Sequence, residues 1–350
     1  MTLTKTQCSA LRGFAILGIF LHNFLHWLGP MVKENEYQFG QDRLDRMTGM
    51  LLSPSDDIVL QLFSFFGHYG VPVFLFLSGY GLVKKYEQSH AVAETAWEFI
   101  RKHFMKLLPM MLLGFAVFAM VDWTTPGRHH WTWMDIVTQL TMTINFFPDP
   151  DHHIWPGPYW FFGLMMQLYI VYRLVLYRRP WTWTVAAILL CWAIQALCYD
   201  DPNGDAINQI RYNCIGGMLP FGMGLLAARS TKTFSSGLAS LPMRWTILTV
   251  LSAVGVILFS QNFHLWLWAP ALVVVFNVSL VKAIPERCLG PLNWLGVLSS
   301  AIFVCHPITR KIFIPISRGG EILDGLALYI VATIVLAMIF QKLIKSIKWN

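Results

Sequence analysis

The chain has 350 residues, of which 55% are hydrophobic and only 13% charged, with a formal net charge of +7. A soluble domain carries roughly 25% charged residues, so composition excludes an ordinary globular enzyme and points to a membrane-embedded chain. The positive balance does not indicate nucleic acid, because no basic cluster interleaves with aromatics in a polar region; basic residues in such a chain mark cytoplasmic loops.

About 20 apolar residues cross the hydrocarbon layer. On that measure the sequence predicts a single all-α membrane domain over 1–350, a bundle of about ten spans. They fall near 10–29, 58–83, 104–122, 158–177, 182–199, 211–229, 244–260, 264–281, 292–309 and 325–344. The first apolar run follows Arg12 and lacks a small-residue cleavage site, so it reads as a retained helix rather than a signal peptide. The stretch 134–147 is too short and polar for a crossing and reads as interfacial or re-entrant. With the N-terminus inside, the cytoplasmic loops collect Lys84, Lys85, Arg101, Lys102, Lys106, Arg178, Arg179 and Arg244, among others. Fewer basic residues, Arg128, Arg211, Arg310 and Lys311 among them, remain outside. This bias predicts both termini in the cytoplasm of a multi-pass inner (plasma) membrane protein. Two outer loops, 30–57 and 123–157, are long for plain connectors; the second carries His129, His130, His152 and His153 without a metal-ligand spacing. The six cysteines are scattered, so neither a disulfide framework nor a metal site is expected.

Ionisable residues inside spans are costly and mark function. The first span holds Arg12 near its cytoplasmic end, and His22, Asn23 and His26 about 15 Å deeper at 1.5 Å per residue. A histidine exchanges protons near neutral pH and suits a general base for a hydroxyl. The bland alternative is a topogenic arginine with packing histidines. Other candidates carry alternatives too. Ser78-Gly79 supplies either a hydroxyl or a small pair for close helix packing. Trp160 and Tyr169 either line a substrate path or anchor at an interface. Arg211 either contacts an anionic acceptor or sits in a loop, and His306, in a Cys-His-Pro kink, is a buried polar group that needs a partner.

Arg12 and His22, followed by GVPVFLFLSGYGL (70–82), resemble the opening motifs of the acyltransferase-3 family of membrane acyltransferases. RKHFMKLLP (101–109), YWFFGLMMQLY (159–169), RYNCIGGMLPFGMGLLAAR (211–229) and LGVLSSAIFVCHPITR (295–310) are similar to later family motifs in the same order. The resemblance spans residues 10 to 345. It implies transfer of an acyl group, commonly acetyl, from cytoplasmic acetyl-CoA to a hydroxyl of a glycan or related acceptor. Phosphates of such a donor want guanidinium and ammonium partners, which casts Arg12, Arg101, Lys102 and Lys106, with Ser78 and Gly79, as donor contacts. His22, with Arg12, Asn23 and His26, becomes the catalytic set, and Trp160, Gln167, Tyr169, Arg211 and His306 become acceptor contacts. Expected partners are membrane lipids and a carbohydrate or glycolipid acceptor.

The chain departs from the family pattern in three places. Nine residues separate Arg12 from His22 where the family usually has ten, which rotates His22 by about 80° from the Arg12 face. That predicts either a locally overwound or bulged helix or a share of the work for His26, with His22 ranked first. Met165 and Met166 replace glutamates of the fourth-span motif, and Lys106 replaces an arginine. A transporter or flippase of a glycan or lipid intermediate is the alternative class. Its inverted repeats have no counterpart at half length here.

Overall fold

A computed structural model describes residues 2–88, 94–230 and 243–346; Lys232 and Lys348, both counted toward the cytoplasmic charge, lie outside them. The described residues form helices and connecting turns, with no strand. In chain order the helices are α1 (Lys5–Leu25), α2 (Gln41–Leu52), α3 (Ile58–Phe66), α4 (Gly70–Tyr86), α5 (Ala96–Thr124), α6 (Trp133–Leu140), α7 (Pro150–His153) and α8 (Trp160–Val171). There follow α9 (Trp181–Ala196), α10 (Asp205–Arg211), α11 (Cys214–Arg229), α12 (Arg244–Phe259), α13 (Phe263–Trp266), α14 (Ala269–Ala283), α15 (Gly290–Arg318) and α16 (Ile322–Ser346). Seven helical stretches are long and apolar enough to cross a membrane, α3 and α4 joining through a short 3₁₀ turn into one of them. Three shorter apolar helices, α11, α12 and α14, fall where further spans were expected. The stretch 134–147 holds most of α6, eight residues long, and a 3₁₀ turn at Ile144–Phe146, each far short of a crossing.

α1 lies at the centre. Thr4 and Gln7 close its N-terminus with reciprocal hydrogen bonds, a capping box that satisfies two otherwise free amides. The helix then runs without a bulge to Leu25. Its most extensive partner is α15, and it also packs on α3, α4 and α14. Glycine permits the closest approach: a Cβ on Gly13 would stand 1.9 Å from the Leu292 carbonyl oxygen, and one on Gly296 1.9 Å from that of Ser9. Such small-residue crossings let membrane helices pack backbone to backbone. By contrast α5, α9 and α16 leave most of their apolar surface exposed, as helices at a bundle's lipid-facing edge do.

Candidate active site

Two cavities meet α1 at opposite ends. The larger, ≈ 360 Å³, opens beside its C-terminal half among His22, Asn23, His26, Glu34, Glu36 and Arg310, with aromatic walls from Trp27, Tyr37, Trp155 and Trp160. The smaller, ≈ 240 Å³, lies beside its N-terminal half and is lined by Arg12, Lys85, Lys102 and Lys106 together with Ser78, His103 and Tyr169. Among the described residues no carboxylate lines the smaller cavity, although Glu94 pairs with its Lys102.

The loop after α1 builds the larger site. Ser64 and Gln61 on α3 pin it: the Ser64 hydroxyl donates to Val32 O (2.7 Å), and Gln61 Oε1 accepts from Val32 N (2.8 Å). Past Lys33, the carbonyls of Glu34, Asn35 and Glu36 are each held by a donor from elsewhere in the fold. Arg43 donates to Glu34 O (3.2 Å), the Trp266 indole to Asn35 O (2.9 Å), and Arg211 Nε to Glu36 O (2.7 Å). With the backbone held at Val32, Glu34, Asn35 and Glu36, the side chains of Glu34 and Glu36 are aimed back at α1.

His22 is buried, and its Nδ1 lies 2.7 Å from Ser64 O. A carbonyl only accepts, so Nδ1 carries the proton and Nε2 presents a lone pair to the cavity. That nitrogen is 3.7 Å from Glu34 Oε1 and 3.8 Å from Glu36 Oε2. His26 Nδ1 is 3.1 Å from the same Glu34 oxygen. Burial pushes the Glu34 carboxyl up, but His26 and His22 outweigh it and hold the group well below the usual carboxylate range. Burial, reinforced by the Glu34 charge, pushes Glu36 up to about 8, so at neutral pH Glu36 is mostly uncharged. The site therefore carries one negative charge beside its histidines rather than two. His68, buried on the far side of His22 with ring centroids 5.5 Å apart, donates to Phe65 O (2.8 Å).

The opposite wall is polar and aromatic. Tyr37 and Tyr212 stack at 4.0 Å, and Asp151 accepts from the Tyr212 hydroxyl (2.6 Å) and from Asn208 (2.8 Å). Arg310 enters from α15 and donates to Asn23 O (3.1 Å) and Oδ1 (3.4 Å), its guanidinium 5.3 Å from the Trp27 ring centre.

Only a thin partition separates the cavities. On α4, Val71 lines the larger and Phe74 the smaller, three residues or about 4.5 Å along the helix. Phe74 meets Phe161, a lining residue of the larger cavity, edge to face at 6.4 Å.

The nine-residue spacing is now accounted for without any distortion of α1. Arg12 and His22 diverge around a regular helix because each serves a different cavity. Of the expected donor contacts, Arg12, Ser78, Lys102 and Lys106 line the basic cavity. Gly79 does not: it faces α11, where a Cβ would stand 2.3 Å from Phe221 O. Arg101 is exposed and lines neither cavity. Of the expected acceptor contacts, only Trp160 lines the larger cavity, whereas Tyr169 lines the basic one. Gln167 is a tie between helices, donating to Asn213 (2.7 Å) and accepting from Cys214 N (2.8 Å). Arg211 lies behind the Glu36 backbone, 4.1 Å from the Trp266 ring centre, and supports the loop. His306 is fully buried in α15, bonded to Ile302 O, outside both cavities.

A family model described as an acyltransferase domain matches residues 8–342. The chain belongs to the acyltransferase-3 family. No curated protein and no solved structure matches this acyltransferase. Its site includes four residues that the sequence reading passed over. Glu34 and Glu36 sit in the long outer loop 30–57, shortly after α1. His68 was an ionisable group inside an apolar span, which alone was reason to single it out. Arg310 was counted as an outer-loop charge, yet it is buried in the bundle.

Proposed function

We propose that this acyltransferase moves an acyl group, acetyl in the first instance, from acyl-CoA to a hydroxyl of a glycan or related cell-envelope acceptor, with His22 as general base. The supporting observation is the tautomer of His22: Nδ1–H is committed to Ser64 O, which leaves Nε2 as a lone pair in a cavity of ≈ 360 Å³. The acceptor hydroxyl donates to that lone pair and loses its proton to it during attack. Glu34 then faces an imidazolium and stabilises it. The stacked Tyr37 and Tyr212, with Trp160, Asp151 and Asn208, offer apolar ring faces and hydrogen-bond partners of the kind a sugar presents.

Acyl-CoA, when bound, supplies a thioester carbonyl as the electrophile; as the ester C–O bond forms the C–S bond breaks, and CoA leaves as the thiol with the proton that His22 took up. Arg12, Lys85, Lys102 and Lys106 suit its phosphates, because four cationic side chains converge on one cavity; Lys102 there also pairs with Glu94. In this reading the basic cavity faces the cytoplasm and the larger one the outer face of the inner membrane, with both termini inside. Ten spans, the three shorter apolar helices included, satisfy that orientation.

The test uses purified protein with radiolabelled acetyl-CoA and candidate glycans. Label should transfer to the acceptor, and His22→Ala should abolish it. His26→Ala run alongside ranks the two histidines, a greater loss at His26 reversing the assignment. Movement of a glycan or lipid without CoA dependence would overturn the enzyme reading in favour of a transporter.

A further inference from the structure

Glu34 is a nearly buried carboxylate whose only ion-pair partners among the described residues are two imidazoles. Among the described residues no lysine or arginine forms an ion pair with its side chain; Arg43 donates to its backbone carbonyl. A buried negative charge of this kind demands a cation, either a proton on a histidine or a metal ion. The geometry carries the second possibility further than hydrogen bonding alone.

Tetrahedral zinc with bonds of about 2.0–2.1 Å sets its ligand atoms about 3.3 Å apart. Here His26 Nδ1 and Glu34 Oε1 are 3.1 Å apart, and His22 Nε2 and the same oxygen 3.7 Å. The longer distance is too great for a hydrogen bond but close to a ligand–ligand edge. One ligand atom from each of His22, His26 and Glu34 lies within 4.8 Å of the others. Glu36 Oε2, 3.8 Å from His22 Nε2, borders this group without completing it. His22 also carries the supporting bond typical of metal-ligating histidines: its other ring nitrogen donates to a peptide carbonyl, which fixes both tautomer and ring.

We propose that His22, His26 and Glu34 form a binding site for a divalent transition-metal ion of the zinc class, reached through the larger cavity. Sequence spacing gave no sign of it, because Glu34 joins the histidines only through the pinned loop. Two imidazoles and carboxylate oxygen make a borderline-soft donor set that prefers zinc to magnesium or calcium. Where His22 is also the catalytic base, a part of the inference that rests on the function proposed above, the ion and the acceptor hydroxyl compete for one lone pair. Zinc is then an inhibitor acting from the acceptor side.

Binding is measured first, without any acyl donor. Full-length protein in detergent is dialysed against Zn²⁺ and its metal content determined, with Co²⁺ as a spectroscopic substitute that absorbs visibly in a tetrahedral site. The expected result is one ion per chain, with at least tenfold weaker binding in both His26→Ala and Glu34→Gln. Size-exclusion profile and thermal unfolding establish that each variant is folded, and added zinc should raise the melting temperature of the wild type only. Absence of binding, or equal binding in both folded variants (as at the outer-loop histidines), would overturn the site. In the transfer assay, zinc should raise the apparent KM for acceptor and leave that for acyl-CoA unchanged, with activity restored by chelator. Zinc bound at this site with no acyl transfer under any condition refutes the function and not the metal site. Zinc bound at this site with transfer untouched refutes His22 as the base and not the metal site.

Discussion

Gly67→Ala should dislodge His22, the base in the proposed reaction, without replacing any reacting group. Gly67 lies in the turn between α3 and α4, where the chain passes α1 at backbone distance. A Cβ there would stand 2.6 Å from Cβ of His22 and 2.5 Å from the Gly18 carbonyl oxygen. Ordinary contact begins at 3.4 Å, so α1 must yield by about 0.8–0.9 Å in a close-packed interior. A displacement near 1 Å at a reacting group costs on the order of 100-fold in rate, and overpacking costs about 1–3 kcal/mol in stability. The expected outcome is a folded protein with a lowered melting temperature and kcat/KM reduced about 10- to 100-fold, mostly in kcat. The assay compares acetyl transfer by Gly67→Ala and Gly49→Ala, each measured below its own melting transition. Gly49 has open space around its Cβ position, so its variant should match wild type. Wild-type kcat in Gly67→Ala would refute the placement of His22; a lowered melting temperature with kcat intact would leave the packing argument standing and remove His22 from the chemistry.

Glu34→Gln keeps the shape of the loop and removes the charge facing His22, so kcat should fall by at least tenfold with KM for acyl-CoA unchanged; an unaltered kcat would show that the imidazolium needs no partner. Lys106→Glu reverses a charge in the basic cavity and should raise KM for acyl-CoA about tenfold or more, with salt dependence reduced; an effect on the acceptor KM instead would contradict the division of labour between the cavities. Phe161→Ala thins the partition at its contact with Phe74 and should increase acetyl-CoA hydrolysis in the absence of acceptor, detected as free thiol. Gly296→Ala, whose Cβ would meet Ser9 O at 1.9 Å, should destabilise the α1–α15 crossing more than any effect it has on rate per folded molecule, as read by thermal unfolding.

Much of this molecule is legible in its residues because membrane solvation is a local property. An apolar run of sufficient length is a helix wherever it lies, since lipid offers its backbone no other hydrogen-bond partner. Composition and hydropathy therefore locate the helices, and the order of motifs identifies the family. The expense of an ionisable group in hydrocarbon singles out Arg12 and His22 by the same local reasoning. What each ionisable group faces is not local. Arg310 reads as an outer charge by its sequence neighbourhood, yet α15 carries it beneath Asn23, where a protein carbonyl replaces water. Glu34 and Glu36 read as loop polarity until Ser64, Trp266 and Arg211, from three distant segments, fix the backbone that turns them toward His22. The offset between Arg12 and His22 is visible in the sequence as a missing residue. That it separates two cavities across a wall one helical turn thick follows only from the packing of α4 against α1 and the contact of its Phe74 with Phe161 of α8, because contacts between distant segments leave no periodic trace along the chain.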